Sequence, residues 1–163
     1  MIKKIFVILF FTIFTFTTNS FSAGSDSTPA KVKSNYDKAV QSIKFAKKYE
    51  AKGKIEKAKK RYAKAQKLLL KSNKEKPLQA DTLNYLGFTT RKLGDYENGE
   101  KYYLLGLEID PKHKGINEYL GELYIATNRI NLAKERLEVL ASCNCDEYIQ
   151  LKEILDGTKK SKY

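Results

Sequence analysis

The stretch that decides the fold is residues 80–113, which read ADTLNYLGFTTRKLGDYENGEKYYLLGLEIDPKH. Residues 114 to about 143 repeat its pattern with a period of 34 residues. The Leu-Gly pair at 86–87, for example, returns at 120–121. Self-similarity at this period is typical of stacked helix pairs, because one pair alone leaves an apolar face in water. The repeat therefore predicts an all-α fold.

Small residues recur at a fixed phase in the two copies. Gly87 and Gly99 of the first copy correspond to Gly121 and Ala133 of the second. Small side chains let two helices approach closely, while the Leu and Tyr residues around them fill the space between pairs. A Gly-Asp-Tyr turn at 94–96 supplies a glycine for positive φ and an acid to cap the next helix.

A third helical hairpin precedes these copies. Apolar residues at steps of three and four predict helices over about 31–51 and 54–73, with Gly53 between them. Gly53 lies 41 residues before Gly94, seven more than the period, which predicts two extra helical turns at 67–76. We interpret 39–79 as a degenerate repeat, and we predict a last helix over 146–156 with Asp146 as its cap.

These patterns resemble the tetratricopeptide repeat family. The Leu-Gly pair, the Gly-Asp-Tyr turn and a closing Asp-Pro stand in register over 80–113, and the likeness continues over 114–140. There, however, Asn128 and its neighbours replace the usual turn. The Cys-x-Cys turn before a final helix is similar to short exported bacterial members. The resemblance implies an α-α superhelix over 31–156, with three hairpins and a capping helix.

The same resemblance implies a protein-interaction scaffold whose concave groove is lined by the first helix of each pair. Helical phase assigns seven residues to that groove: Lys47, Asn84, Phe88, Arg91, Glu118, Glu122 and Ile125. Such a mixed groove suits an extended or helical peptide. The family's clamp for a C-terminal carboxylate is not expected, because Ile43, Gly115 and Tyr119 occupy positions that would need polar partners.

The first 23 residues have the pattern of a secretory signal peptide. Two lysines precede a charge-free run of 14 residues at 5–18, and small residues follow. The run is shorter than the roughly 20 residues of a membrane span. We therefore expect an exported, periplasmic protein whose residues 24–30 form a disordered, polar lead-in before the helical domain. An uncleaved segment that anchors the chain in the inner membrane is the alternative.

Charge is distributed unevenly along the chain. The net charge is +12, but residues 31–76 carry 17 Lys or Arg against 4 acids, whereas residues 77–156 carry 9 against 14. A basic tail follows at 157–163. The cations of the first hairpin are nearly all lysines and are expected to surround the helix without forming one stripe. Lysine suits diffuse attraction better than bidentate recognition, so an anionic envelope surface is one candidate partner.

The two cysteines, Cys143 and Cys145, are expected to pair because exported proteins meet oxidising conditions. The leading interpretation is a disulfide in the turn before the last helix that has a structural role or no functional role. A redox-active dithiol, an intermolecular bond and metal capture are the alternatives. The acids Asp146 and Glu147 beside the pair raise a thiol pKa, which does not favour redox activity.

No catalytic pattern is visible in the sequence. His113 is the lone histidine and is expected on the solvated surface. The acids Glu118 and Glu122 are one turn apart, which indicates a solvated or groove-lining face. No phosphate loop or nucleophile set occurs, so we expect no enzyme, no cofactor and no metal.

Two functional hypotheses follow. The leading one is a non-catalytic exported scaffold that binds another protein or peptide through its groove. The alternative is an envelope-surface protein that docks on anionic lipid or polymer through the lysine-rich hairpin. Export disfavours nucleic acid as a partner. A thiol oxidoreductase is a third possibility that depends on Cys143 and Cys145.

Overall fold

Seven α-helices form the regular structure of residues 33–159, which are the residues that this computed structural model describes. The helices are α1 (Asn35–Glu50), α2 (Ile55–Glu75), α3 (Ala80–Lys92), α4 (Tyr96–Ile109), α5 (Lys114–Ala126), α6 (Ile130–Leu140) and α7 (Asp146–Leu155). Residues 33–159 contain no strand, so the predicted all-α fold is confirmed. None of the seven helices is long and apolar enough to cross a membrane. The predicted signal peptide, the lead-in and residues 160–163 lie outside the described residues.

The helices pack as three successive hairpins and a closing helix. The hairpins are α1–α2, α3–α4 and α5–α6, and α7 packs on both α5 and α6. The first helices of neighbouring hairpins also contact each other, α1 with α3 and α3 with α5. The predicted arrangement of three hairpins and a capping helix is therefore confirmed. The α2 helix has 21 residues where α4 has 14, which accounts for the two extra turns.

The helix starts follow local hydrogen bonding. Ser34 and Asp37 form a capping box at α1, so this helix begins at Asn35, later than the predicted 31. Asp95 caps α4 as predicted, accepting the Asn98 N–H at 3.1 Å. The predicted last helix is present as α7, but the cap assignment was wrong, because its N-cap is Cys145 and Asp146 is the first helical residue. A carboxylate in the first turn still interacts favourably with the helix dipole.

The turns that follow α1, α3 and α5, and the turn that ends α7, share one backbone geometry. Gly53, Gly94 and Gly157 have φ values of 66°, 98° and 73°, and Asn128 has φ 59° at the equivalent place after α5. The next residue's N–H bonds the carbonyl five residues back in each case, as in a Schellman motif. Asn tolerates left-handed backbone better than most residues, so the turn is preserved although Asn128 replaces the glycine of the other turns.

The small residues lie where helices approach most closely. A Cβ added at Gly87 would be 2.5 Å from Cε1 of Tyr103, and one added at Gly121 would be 2.5 Å from Cδ2 of Leu151. A Cβ at Gly99 would be 3.2 Å from the Gly87 carbonyl oxygen. The predicted role of these positions in close packing is confirmed. At Gly121 the close neighbour is the closing helix, because Leu151 is fully buried against α5.

Candidate functional site

A cavity of about 600 Å³ opens on the side of the molecule formed by the first helix of each hairpin. Helices α1, α3 and α5 and the start of α7 all contribute to it. Its lining residues are Lys47, Glu50, Ala51, Phe88, Lys92, Glu118, Tyr119, Glu122, Asp146, Glu147 and Gln150. The repeat geometry explains this placement, because first helices lie side by side when hairpins stack.

Four of the seven predicted groove residues line this cavity, namely Lys47, Phe88, Glu118 and Glu122. The other three predicted residues do not line it. Asn84 and Arg91 are 6% and 1% exposed, whereas Ile125 is partly exposed. Helical phase gives the direction of a side chain and not the depth at which its neighbours cover it.

Each of those three side chains has a packing role. Asn84 fills the space beside Gly115, where an added Cβ would be 2.8 Å from the Asn84 Nδ2. Ile125 packs against the apolar cluster that α4, α5 and α6 share. Arg91 is 1% exposed and lies beneath the cavity, so it supports the floor without reaching solvent.

The floor of the cavity is aromatic. The rings of Phe88 and Tyr119 have centroids 5.0 Å apart, and Tyr62 meets the Phe88 ring edge-on at 5.7 Å. The Lys47 ammonium lies 4.8 Å from the Phe88 centroid and donates to the Tyr119 hydroxyl at 3.3 Å. Burial raises the pKa of Tyr119, so its hydroxyl stays neutral at physiological pH. Phe88 itself is only 5% exposed, so removing its ring would also remove core packing.

Arg91 joins α3 to α5 below this floor. Its Nη1 donates to the Tyr119 carbonyl at 2.7 Å, and its Nη2 lies 3.4 Å from Oε2 of Glu122. The guanidinium is also 5.5 to 5.9 Å from the centroids of three rings, those of Tyr119, Phe88 and Tyr103. A buried cation with these partners fixes the spacing of the two helices that form the cavity floor.

Charged side chains border the floor on both sides. Lys92 of α3 bonds Glu50 of α1 at 2.5 Å, and Glu50 also accepts from the Tyr62 hydroxyl at 2.8 Å. Glu118 and Glu122 of α5 are 6% and 5% exposed, so they are groove-lining residues of the kind that the sequence allowed. The border is thus built from ordered carboxylates and ammonium groups.

The contribution of α7 was missed in the sequence. Asp146, Glu147 and Gln150 line the cavity, although this helix was predicted only to close the stack. The repeat pattern ends before α7, so no motif set its phase. The acids in its first turn were the one available signal.

His113 is not the solvated residue that the sequence predicted. It is the N-cap of α5, and its Nδ1 accepts the Ile116 N–H at 3.1 Å. Its Nε2 lies 3.1 Å from Oδ1 of Asp81, and its side chain is only 14% exposed. His113 therefore links α3 to the start of α5 and is not among the residues that line the cavity.

Cys143 and Cys145 are joined by a disulfide in the turn before α7. The bond lies directly before the residues that α7 adds to the cavity. Its structural role stays a prediction. Residues 33–159 contain no group of three His, Cys, Asp or Glu side chains arranged to hold a metal ion.

Six of the seven lysines of α2 form a stripe, whereas Lys59 and Arg61 of the same helix lie outside it, so the prediction that the cations surround the helix fails for these six lysines. The six lysines recur at steps of three and four and are all exposed: Lys57, Lys60, Lys64, Lys67, Lys71 and Lys74. We call this set the lysine stripe. Within the described part of the chain, none of its ammonium groups forms an ion pair. The stripe arises because α2 buries its other face against α1 and α3.

Comparison with known families identifies a tetratricopeptide repeat at residues 80–113. The chain contains this repeat, and the predicted family is confirmed there. The repeats of this family are typically non-catalytic modules for protein–protein interaction. This match does not test the predicted likeness to short exported bacterial members of the family, which stays a prediction.

The chain is also similar to a solved structure, the first TPR of Spaghetti (RPAP3) bound to HSP90 peptide SRMEEVD. The two share 18% identity and a TM-score of 0.48, over 78% of this chain and 98% of that one. A search of curated proteins finds no match.

Proposed function

We propose that this protein is an exported, non-catalytic scaffold that binds a segment of another protein in its concave groove. The observation that carries the proposal is the cavity of about 600 Å³ with an aromatic floor and charged borders. Its volume falls within the roughly 300–1,000 Å³ typical of ligand sites. The repeat at 80–113 supports a protein partner, because repeats of this kind present such grooves to peptides.

The groove chemistry suits a peptide. Aromatic rings offer apolar contact, and the Lys47 ammonium, the Tyr119 hydroxyl and the Gln150 amide offer hydrogen bonds to a backbone. The signal-peptide pattern of residues 1–23 supports export, with an uncleaved inner-membrane anchor as the alternative.

Site-specific crosslinking in cells tests the groove. A photoreactive residue at Gln150, which lines the cavity, is expected to capture a partner from the exported fraction. The same residue at Glu138, exposed on α6 and outside the cavity, is the control and is expected to capture none. Mass spectrometry of the product identifies the partner.

A charge change in the groove completes this experiment. Lys47→Glu is expected to lower the Gln150 crosslink several-fold, because Lys47 lies over the floor. Lys44→Glu makes the same charge change on an exposed position of α1 outside the cavity and is expected to leave the crosslink intact. Equal capture from Gln150 and Glu138, or indifference to Lys47→Glu, would show that the groove is not the binding site.

The lysine stripe favours a second candidate function, docking on anionic lipid or polymer at the envelope. Its lysines all face solvent along one side of α2. Each lysine near an anionic membrane surface contributes about 1 kcal/mol of attraction. The hairpins would then act as a rigid support for the basic surface.

Vesicle co-sedimentation of the full chain tests this candidate. Binding is expected to vesicles with anionic lipid, to be absent from neutral vesicles and to fall as salt rises. The triple variant Lys60→Glu, Lys64→Glu, Lys67→Glu removes at least about 3 kcal/mol, roughly a hundredfold in affinity. The matched control changes three exposed lysines of the first hairpin, Lys44, Lys48 and Lys52, to Glu. An equal loss in both triples would mean that net charge matters and the stripe does not.

A further inference from the structure

The two sides of the groove differ in charge. One side has two ammonium groups, Lys47 of α1 and Lys92 of α3, and one carboxylate, Glu50, which bonds Lys92. The other side has only carboxylates among its charged lining groups, namely Glu118, Glu122 and the two acids in the first turn of α7. The whole chain carries a net charge of +12, so the α5–α7 side departs from the charge balance of the protein around it. We propose that the groove binds a peptide segment with a lysine or arginine side chain, and that this cation lies against the α5–α7 side. This inference rests on the proposed peptide-binding function.

The carboxylates outnumber the cations even when the neighbours below the floor are counted. The cavity lining includes five carboxylates and two ammonium groups, and Arg91 beneath the floor adds a third cation. The N-terminus of α7 adds about half a positive charge near its two acids. The net charge of the cavity lining, with Arg91 and the helix terminus included, is therefore negative.

Burial strengthens the effect of this negative charge. Glu118 and Glu122 are 6% and 5% exposed, so water screens them less than it screens carboxylates on an open surface. Glu122 already pairs with Arg91 at 3.4 Å, which offsets part of this charge. A peptide carboxylate brought to this side would meet like charge as it lost its own water. A peptide ammonium or guanidinium would instead offset the carboxylates and gain charge-assisted hydrogen bonds.

The floor directs the peptide cation towards the acids. Phe88 and Tyr119 present ring faces that attract cations, but the Lys47 ammonium already lies 4.8 Å and 5.6 Å from their centroids. A second cation over the same rings would be repelled by Lys47. The apolar part of the peptide therefore contacts the floor, and its cation extends to the α5–α7 side. The basic first hairpin repels the same peptide elsewhere, which adds to the specificity.

Fluorescence anisotropy with the full chain and labelled peptide pools tests the proposal. The pools have equal length and share one fixed aromatic residue. The basic pool carries Lys and Arg at its variable positions, the acidic pool Asp and Glu, and the neutral pool Ser and Gln. The basic pool is expected to bind about tenfold more tightly than the neutral pool, with the acidic pool weakest.

Variants on the two faces of the stack locate the contact. Glu147→Lys is expected to abolish the preference for the basic pool, and Glu147→Gln to reduce it. Glu138→Lys makes the same charge change on an exposed position of α6 outside the cavity, so the preference is expected to persist. If Glu147→Lys and Glu138→Lys weaken binding of the basic pool equally, the peptide cation does not lie at the α5–α7 side.

The outcomes separate this inference from the proposed function. Equal binding of all three pools, with loss of all three in Lys47→Glu, would preserve a peptide groove and overturn the charge preference. No binding of any pool, together with no crosslink from Gln150, would overturn both. A dimer in light scattering that dissociates with Glu147→Lys but not with Glu138→Lys would make the occupant a second copy of this chain and overturn the peptide proposal.

Discussion

Replacing Arg91 with Met is expected to lower the free energy of unfolding by about 3–5 kcal/mol, as is typical when one partner of a buried ion pair is removed. Arg91 is 1% exposed and Glu122 is 5% exposed, so the change leaves a carboxylate in a site that water reaches poorly. The Tyr119 carbonyl also loses its 2.7 Å hydrogen bond. Urea unfolding followed by circular dichroism measures the change.

Two further variants test the reason for this loss. The double variant Arg91→Met, Glu122→Gln removes both charges and is expected to regain much of the lost stability. Arg129→Met removes a better-aligned pair, with bonds of 2.8 and 2.7 Å to Glu100, but those side chains are 37% and 21% exposed. Because water screens this second pair, its loss is expected to cost only about 1 kcal/mol or less. If Arg91→Met proves no more costly than Arg129→Met, burial does not set the strength of the α3–α5 link.

Tyr103→Ala is expected to cost about 3–5 kcal/mol of unfolding free energy, the range for removing a buried aromatic ring. Tyr103 is fully buried in the space that Gly87 leaves open, so the protein would have to collapse around a cavity. Tyr103→Phe is the control. Within the described residues the Tyr103 hydroxyl is buried without a hydrogen-bond partner, so its removal is expected to be neutral or slightly stabilising. Burial also raises the pKa of Tyr103, which keeps that hydroxyl protonated.

The same ring makes Gly87 necessary, and a double-mutant cycle measures this coupling. Gly87→Ala alone is expected to cost about 1–3 kcal/mol, because its Cβ would meet Tyr103 ring atoms at 2.5 to 2.8 Å. In the Tyr103→Ala background this cost is expected to vanish. Gly121→Ala is the comparison. Its Cβ would meet the terminal methyl groups of Leu151, which can rotate away, so its cost is expected to be lower. Additive effects of Gly87→Ala and Tyr103→Ala would contradict the close-packing argument.

The order and pairing of the helices followed from local signals in the chain. The 34-residue period predicted the hairpins, and glycines at 53 and 94 predicted the turns between their helices. Even Asn128, which breaks the glycine pattern, adopts the same left-handed backbone. Such features are predictable because turn geometry, capping and helical phase depend on residues within one or two turns of each other.

The groove was predictable only in part. Helical phase selected Lys47, Phe88, Glu118 and Glu122, and these four residues line the cavity. It could not show that Arg91 lies beneath the floor, since the covering residue, Tyr119, comes from another repeat. His113 was misjudged for the same reason, because its partner Asp81 is 32 residues away.

Local sequence thus determined the repeat, the turns and the face of each helix, through contacts between residues close along the chain. Three features of the two candidate surfaces depended on packing between distant segments: the buried Arg91 link, the acids that α7 adds to the groove, and the exposure of the lysine stripe along α2. The physical reason is that burial and charge screening depend on which other helices cover a side chain. Those helices are assembled only when the hairpins stack.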